Sequence, residues 1–241
     1  MATPYVMHHL AEVGSTQDEA ARLFAVDPET ALLVYADRQI GGRGRSGRTW
    51  WEADRALYAS VALRPEWPTA QWPLISLVAG LAARDAVHQT LGESLGLKWP
   101  NDLVTAEGKV GGVLAEVGGA TAVVGCGLNL WWPDPPEGAA GIKPGDPGRD
   151  AVRLVAAAWV RRLLAKIEQG PEAWGHDEYR ASCVTLGSNV VWDPDGAGEA
   201  VDVTDDGGLV VETPRGRQII HSGEVRRVRG ASVRPDDIVD G

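Results

Sequence analysis

The chain has 241 residues, 44% of them hydrophobic, and a formal net charge of -10. That is enough apolar material for a full core, in one large domain or one with a small companion, while the acidic balance argues against a broad nucleic-acid or anionic-membrane surface, since both need distributed positive charge. No apolar run approaches the roughly 20 residues that span a bilayer, the N-terminus has neither a basic n-region nor a long apolar segment, and the two cysteines, Cys126 and Cys183, form no disulfide framework or metal-ligand spacing, so the expectation is a cytoplasmic protein.

In chain order, Tyr5 to Val13 alternates weakly, and Gly14-Ser15-Thr16-Gln17-Asp18-Glu19 then leads into an alanine-rich run. This reads as a helix start: Ser15 can cap, and Asp18 and Glu19 fall in the first turn, where carboxylates favour the positive end of the helix dipole. A helix N-terminus is also a place to hold a polar ligand. Ala31 to Ala36 reads as a buried strand, and Leu57 to Leu63 as a second. Between them runs Gln39-Ile-Gly-Gly-Arg-Gly-Arg-Ser-Gly-Arg-Thr-Trp-Trp51, in which Arg43, Arg45 and Arg48 are interleaved with glycines and no acid lies between Asp37 and Glu52. Glycines let backbone N–H groups approach a ligand, and arginines supply forked donors for phosphate or carboxylate. By itself the run fits an anion site or an arginine-rich loop on nucleic acid.

Pro73 to Leu91 is a helix with apolar residues at three- and four-residue spacing. From Leu97 to Val104 and from Lys109 to Val117 we expect two strands joined by a tight turn, the first interrupted at Pro100 so that Asn101 and Asp102 sit at a bend facing a ligand. Gly111 and Gly112 invite a close backbone approach. Thr121 to Leu130 is another buried strand, with Asn129 polar late in an apolar segment. The chain uses 19 arginines and only 4 lysines, so Lys98 and Lys109 beside the bend stand out as compact charges that fit where a planar guanidinium would not. Trp131 to Gly148 is a proline-rich loop, Asp150 to Gln169 an amphipathic helix, and Glu172 to Arg180 a shorter one. From Gly187 the texture changes to five short strands, Asn189 to Trp192, Ala200 to Thr204, Leu209 to Thr213, Arg217 to His221 and Val225 to Arg229, which suggest a small β-barrel.

Gly-Ser-Thr-Gln near the start, Gln39 with Gly42-Arg43-Gly44-Arg45-Ser46-Gly47-Arg48 and Trp50, Lys98-Trp99-Pro100-Asn101-Asp102, Lys109-Val110-Gly111-Gly112 and Gly125-Cys126-Gly127-Leu128-Asn129 resemble the biotin protein ligases over nearly the whole chain. The resemblance implies an α+β catalytic domain like those of class II aminoacyl-tRNA synthetases, with a mixed sheet and flanking helices over residues 1–184, and a small Src-homology-3-like barrel over residues 185–241. It implies two steps. Biotin and MgATP give biotinyl-5′-adenylate and pyrophosphate, and a lysine of a biotin carboxyl carrier domain then attacks the mixed anhydride and takes the biotinyl group.

Carried over by position, Ser15, Thr16, Gln17 and Gln39 would meet the biotin head group, with Gly42 and the Gly44 backbone beside it. Arg43 and Arg45 would hold the carboxylate and phosphate end, Arg48 and Trp50 would enclose the adenylate, and Asn129 would face adenine. Lys109 would bridge the biotin carboxylate and α-phosphate, Asp102 would orient the incoming amine, and Asn101 and Gly112 would line the same pocket; no Mg2+ ligand is identifiable. Gln17 stands where the family usually has asparagine. The fourteen residues before Ser15 are too few for a winged helix-turn-helix, so the expectation is the short, monofunctional class, monomer or homodimer, without DNA or membrane partners. Two rivals remain: a lipoate or octanoate ligase or transferase of related fold, and a non-catalytic nucleic-acid-binding module.

Overall fold

The computed structural model describes residues 3–28, 30–194, 196–221 and 225–227. Its frame is a seven-stranded sheet built from β1 (Tyr5–Val13), β2 (Ala31–Gln39), β3 (Arg55–Leu63), β4 (Gly96–Lys98), β5 (Asp102–Val104), β6 (Lys109–Gly118) and β7 (Thr121–Trp131), in the order β1-β2-β3-β7-β6-β5-β4. β1 and β2 are parallel and every other pair antiparallel, so the sheet is mixed. A parallel pair needs a crossover, which α1 (Thr16–Phe24) provides.

Side chains of successive strand residues point to opposite faces, and the core divides accordingly. Leu32, Val34, Ala62 and Val123 pack with Ala20 and Phe24 of α1 on one face. Leu33, Tyr35, Val61 and Val124 belong to the larger cluster on the other, with α2 (Leu74–Leu91) and α3 (Arg149–Glu168). The expected apolar stripe of α3 is buried, from Val152 and Val155 through Trp159 and Leu163 to Ile167. α2 begins after Pro73 and stops at Gly92, whose φ of 73° is left-handed and suits a residue without Cβ.

Two expectations are corrected. The stretch from Leu97 to Val104 is not one interrupted strand: β4 and β5 form an antiparallel hairpin with Lys98 opposite Asp102. The reversal is held by Trp99, whose backbone N–H donates to Thr185 Oγ1 at 2.9 Å and whose indole Nε1 donates to Gly207 O at 2.9 Å. The single helix expected over Glu172 to Arg180 is instead a 3-10 turn, Pro171–Ala173, followed by α4 (His176–Ser182), with Gly175 at φ 98° breaking between them.

The five C-terminal strands are present as a second, antiparallel sheet: β8 (Ser188–Trp192), β9 (Gly196–Val203), β10 (Leu209–Thr213), β11 (Gly216–Ile220) and β12 (Val225–Arg227), in the order β11-β10-β9-β8-β12. Val228 and Arg229 of the last expected strand lie outside the described residues. This sheet is tied to the larger unit by the Trp174 indole on Asp205 O at 2.8 Å and by Arg180 on Asp202 at 2.6 Å. No described helix is long and apolar enough to cross a membrane.

Candidate active site

Because β2 and β3 are antiparallel neighbours, residues 40–54 must turn back over the open end of the sheet. The turn is ordered by its own backbone: Gly44 N–H donates to Arg48 O at 2.6 Å and Trp50 N–H to Gly42 O at 3.0 Å, with a 3-10 turn over Arg45–Gly47. Beneath it lies a cleft of about 1620 Å³, bounded by the N-terminus of α1, the glycines of β6 and β7, the β4–β5 hairpin and the edge of the second sheet.

The glycines explain how an indole reaches the floor. Gly112 and Gly127 are partners across β6 and β7. A Cβ at Gly127 would come within 2.9 Å of the Trp50 ring, and one at Gly112 within 3.4 Å. Trp50 thus rests on two positions without side chains, and its Nε1 is buried with no partner. Asn129 is 4% exposed; its Nδ2 donates to Ala140 O at 3.3 Å, and its Oδ1 is left unpaired. Unsatisfied buried polar groups are costly, and both of these belong to residues that line the cleft.

At the α1 end a buried hydrogen-bonded chain runs across three elements. Thr16 donates to Gln39 Oε1 from its backbone N–H at 2.8 Å and from Oγ1 at 2.9 Å. Thr16 Oγ1 lies 2.9 Å from Ser60 Oγ, and Ser60 Oγ donates to Gln17 Oε1 at 3.3 Å. Gln17 Nε2 donates to Val123 O at 3.1 Å and Leu114 O at 3.3 Å, so Gln17 is a pin with one edge on the cleft. Ser15 caps α1, its Oγ accepting from Asp18 N–H at 3.3 Å.

The opposite end is charged. Lys109 Nζ lies 2.6 Å from Asp102 Oδ1 and 5.5 Å from the centroid of the Trp50 ring, within cation–π range. Arg45 Nη1 donates to Asn101 Oδ1 at 3.1 Å, so the loop's second arginine touches the hairpin directly. Arg43 does not join them: its guanidinium holds Asp18 bidentately at 2.8 and 2.6 Å and lies 3.9 Å from Glu116. The reason is acidic neighbours invisible to the loop's own sequence, and the Arg43 guanidinium keeps the Asp18 carboxyl below its ordinary range.

Every expected site residue lines the cleft except Gly42, which sits behind Gln39 and Trp50, where a Cβ would come within 2.8 Å of Gln39 Nε2. Sequence reasoning missed Ser60, although a lone polar side chain in an apolar strand is the signal that Asn129 gave. It also missed Ser188, Asn189 and Arg226 of the second sheet, for which spacing offers no signal. Cys126 is on the cleft wall but buried, and burial pushes its thiol well above the ordinary range; a thiolate nucleophile is disfavoured. Burial also pushes the Tyr58 hydroxyl up to about 12.

Residues 11–129 match the Biotin/lipoate A/B protein ligase family, and residues 195–227 match the Biotin protein ligase C terminal domain. The chain is 33% identical to a biotin–[acetyl-CoA-carboxylase] ligase of Mycobacterium tuberculosis, covering 91% of this chain and 88% of that protein. It is 31% identical to the one from Paracoccus denitrificans, over 90% and 98%. Among solved structures it is similar to the biotin protein ligase of Aquifex aeolicus in complex with biotin and ATP, at 31% identity and a TM-score of 0.76, covering 93% of this chain and 99% of that one. It is also similar to the Leishmania major enzyme with biotinyl-5-AMP, at 25% identity and a TM-score of 0.63. With relatives of 33% and 31% identity matched over about nine-tenths of its length and a solved ligase of the same fold, the chain belongs to the biotin protein ligases.

Proposed function

We propose that the protein activates biotin as biotinyl-5′-adenylate at the expense of ATP and transfers the biotinyl group to a lysine of a biotin carboxyl carrier domain, such as that of acetyl-CoA carboxylase. The observation that carries this reading is the polarity of one cleft. A neutral hydrogen-bonding corner of Thr16, Gln39, Ser60 and Gln17 lies at one end, and Lys109, Arg45 and Asp102 cluster at the other. A ureido ring needs the first and a carboxylate meeting a phosphate needs the second.

In the first step a biotin carboxylate oxygen bonds to the α-phosphorus as the bond to the bridging oxygen breaks and pyrophosphate leaves with its electron pair, an approach opposed by like charge. Lys109 and Arg45 neutralise and align the two anions, which is where positioning and electrostatic stabilisation act. Ser15, Thr16 and Gln39 hold the head group. Trp50 and Arg48 cover the adenylate, and Asn129 Oδ1 meets the exocyclic amine of adenine. Arg43, through Asp18, braces the loop on α1. In the second step Asp102 orients the carrier amine as the amine nitrogen bonds to the carbonyl carbon, AMP leaves with the carbon–oxygen electron pair, and the proton the amine gives up passes to solvent. The glycine–arginine loop folds over the adenylate and keeps water from it.

Mg2+ bound with the nucleotide would supply positive charge at its phosphates. Such an ion would be held mainly by phosphate oxygens and water; among the described residues there is no cluster of three or more metal-ligating side chains. The work divides between a catalytic unit, residues 1–184, and a small unit from residue 185; the end of α4 at Ser182 and the start of β8 at Ser188 support that boundary. The reaction is placed in the cytoplasm, a compartment that the use of ATP and a carboxylase carrier supports.

The test is incubation with MgATP, a carrier domain, and biotin or octanoate in parallel, read by intact mass. The biotin adduct alone is expected; an octanoyl adduct favours the lipoate-type rival, and neither adduct refutes the ligase reading.

A further inference from the structure

Asp102 faces two lysines. Lys109 Nζ is 2.6 Å from Oδ1 and Lys98 Nζ is 3.8 Å from Oδ2, so the carboxylate has a lysine against each of its oxygens. The two lysines are held differently. Lys98 lies directly opposite Asp102 in the β4–β5 register, and the turn between them is fastened by Trp99 to Thr185 and Gly207. Lys109 belongs to β6 and reaches Asp102 across a ladder irregularity between Leu103 and Val104. Its backbone is fixed on both sides by Gly138 O and Ala140 N–H, at 2.8 and 2.9 Å, while its ammonium also stands over the Trp50 ring. Both backbones are thus fixed beside Asp102; the Lys98 ammonium stands 3.8 Å from its carboxylate, while that of Lys109 has a second station over Trp50.

Resting on the ligase reading, the consequence concerns the order of events. The ammonium of Lys109 is the cation placed to meet the biotin carboxylate and the α-phosphate. When two further anions arrive, they draw it away from Asp102. A carboxylate left alone beside a phosphate is repelled from it, and Asp102 would then swing out of the cleft just as the carrier amine needs it. Lys98 sits close enough to close the remaining gap through its flexible stem without backbone movement.

We propose that Lys98 is a positioning residue for the transfer step, holding Asp102 toward the cleft once Lys109 has turned to the adenylate. Lys98 touches neither substrate in this role and acts through Asp102. Its effect therefore falls on the second half-reaction, and on its turnover rather than on carrier affinity.

The experiment measures two half-reactions separately on wild type, Lys98→Met and Lys98→Arg. These are single-turnover pyrophosphate release from biotin and MgATP without carrier, and transfer from pre-formed biotinyl-adenylate to a carrier domain. Loss of a charge-assisted contact predicts that Lys98→Met lowers transfer kcat by about ten- to a hundredfold more than it lowers pyrophosphate release. The carrier KM should move by less than about threefold, and Lys98→Arg should recover most of the transfer rate, since it restores the cation. Equal loss in both half-reactions, a change confined to carrier KM, or no recovery with arginine overturns the proposal. Wild type that releases no biotin-dependent pyrophosphate overturns the ligase reading itself, an outcome separate from any difference between the variants.

Discussion

Gly125→Ala tests the buried corner in which the head group would sit. Gly125 lies on β7 opposite Ser60 and Leu114, and a methyl group there would overlap Gln17 Oε1. Gln17 is 6% exposed and pinned by two carbonyls, so it relieves the overlap only by giving up its bonds to Val123 O and Leu114 O. At roughly 0.5–1.5 kcal/mol net for each neutral hydrogen bond, the loss is about 1–3 kcal/mol. For a chain of this size that is about 2–4 °C in Tm for each kcal/mol. Ser60 loses its Gln17 partner as well, and the chain through Thr16 to Gln39 is disturbed, so the biotin KM should rise by about tenfold. Thermal denaturation gives the first number and biotin-dependent pyrophosphate release the second. Gly118→Ala is the control, because a Cβ there meets nothing within 4 Å. If Gly125→Ala keeps both the wild-type Tm and the wild-type biotin KM, the pinned corner is not the head-group site.

Lys109→Ala removes the ammonium beside Asp102 and Trp50, and we expect biotin-dependent pyrophosphate release to fall by about 10²–10³-fold; near-normal release would contradict its place between the reacting anions. Arg45→Gly cuts the tie from the loop to Asn101. Adenylate should then escape and label bystander proteins, measured by streptavidin blotting of added serum albumin, and unchanged retention would count against a closing role. Cleavage of residues 40–54 by trypsin should slow when biotin and ATP are both present, whereas equal cleavage rates would remove ligand-coupled closure. The thiols of Cys126 and Cys183 are pushed upward by burial, so the thiolate that reacts is scarce until pH rises far above neutral. Iodoacetamide at mildly alkaline pH should label neither in the folded protein and both after denaturation; rapid native labelling of Cys126 would revive a thioester mechanism.

Much of the machinery is legible from local pattern. Alternation and three-to-four spacing mark the strands and the long helices because each buries one face, and the Ser15 cap follows from the orphan N–H groups of α1. The hairpin at Trp99 is less legible, since the residues that hold it, Thr185 and Gly207, come more than 80 positions later. The same holds for Arg43. Its run contains no acid, yet its carboxylate partner sits on α1, so the crossover decides that one arginine braces the loop while the next meets Asn101.

What the order of residues determined by itself was the inventory: glycines where backbones must approach, arginines between strands, and lysines beside a bend, because residue type and spacing constrain local conformation and available chemistry. Only the tertiary structure decided which of these meet. Gly112 and Gly127 become one surface for Trp50 through the β6–β7 register. Asp102 stands between Lys98 and Lys109 because β5 lies between β4 and β6. Charge pairing depends on distance in space, and that distance is set by sheet order rather than by position along the chain.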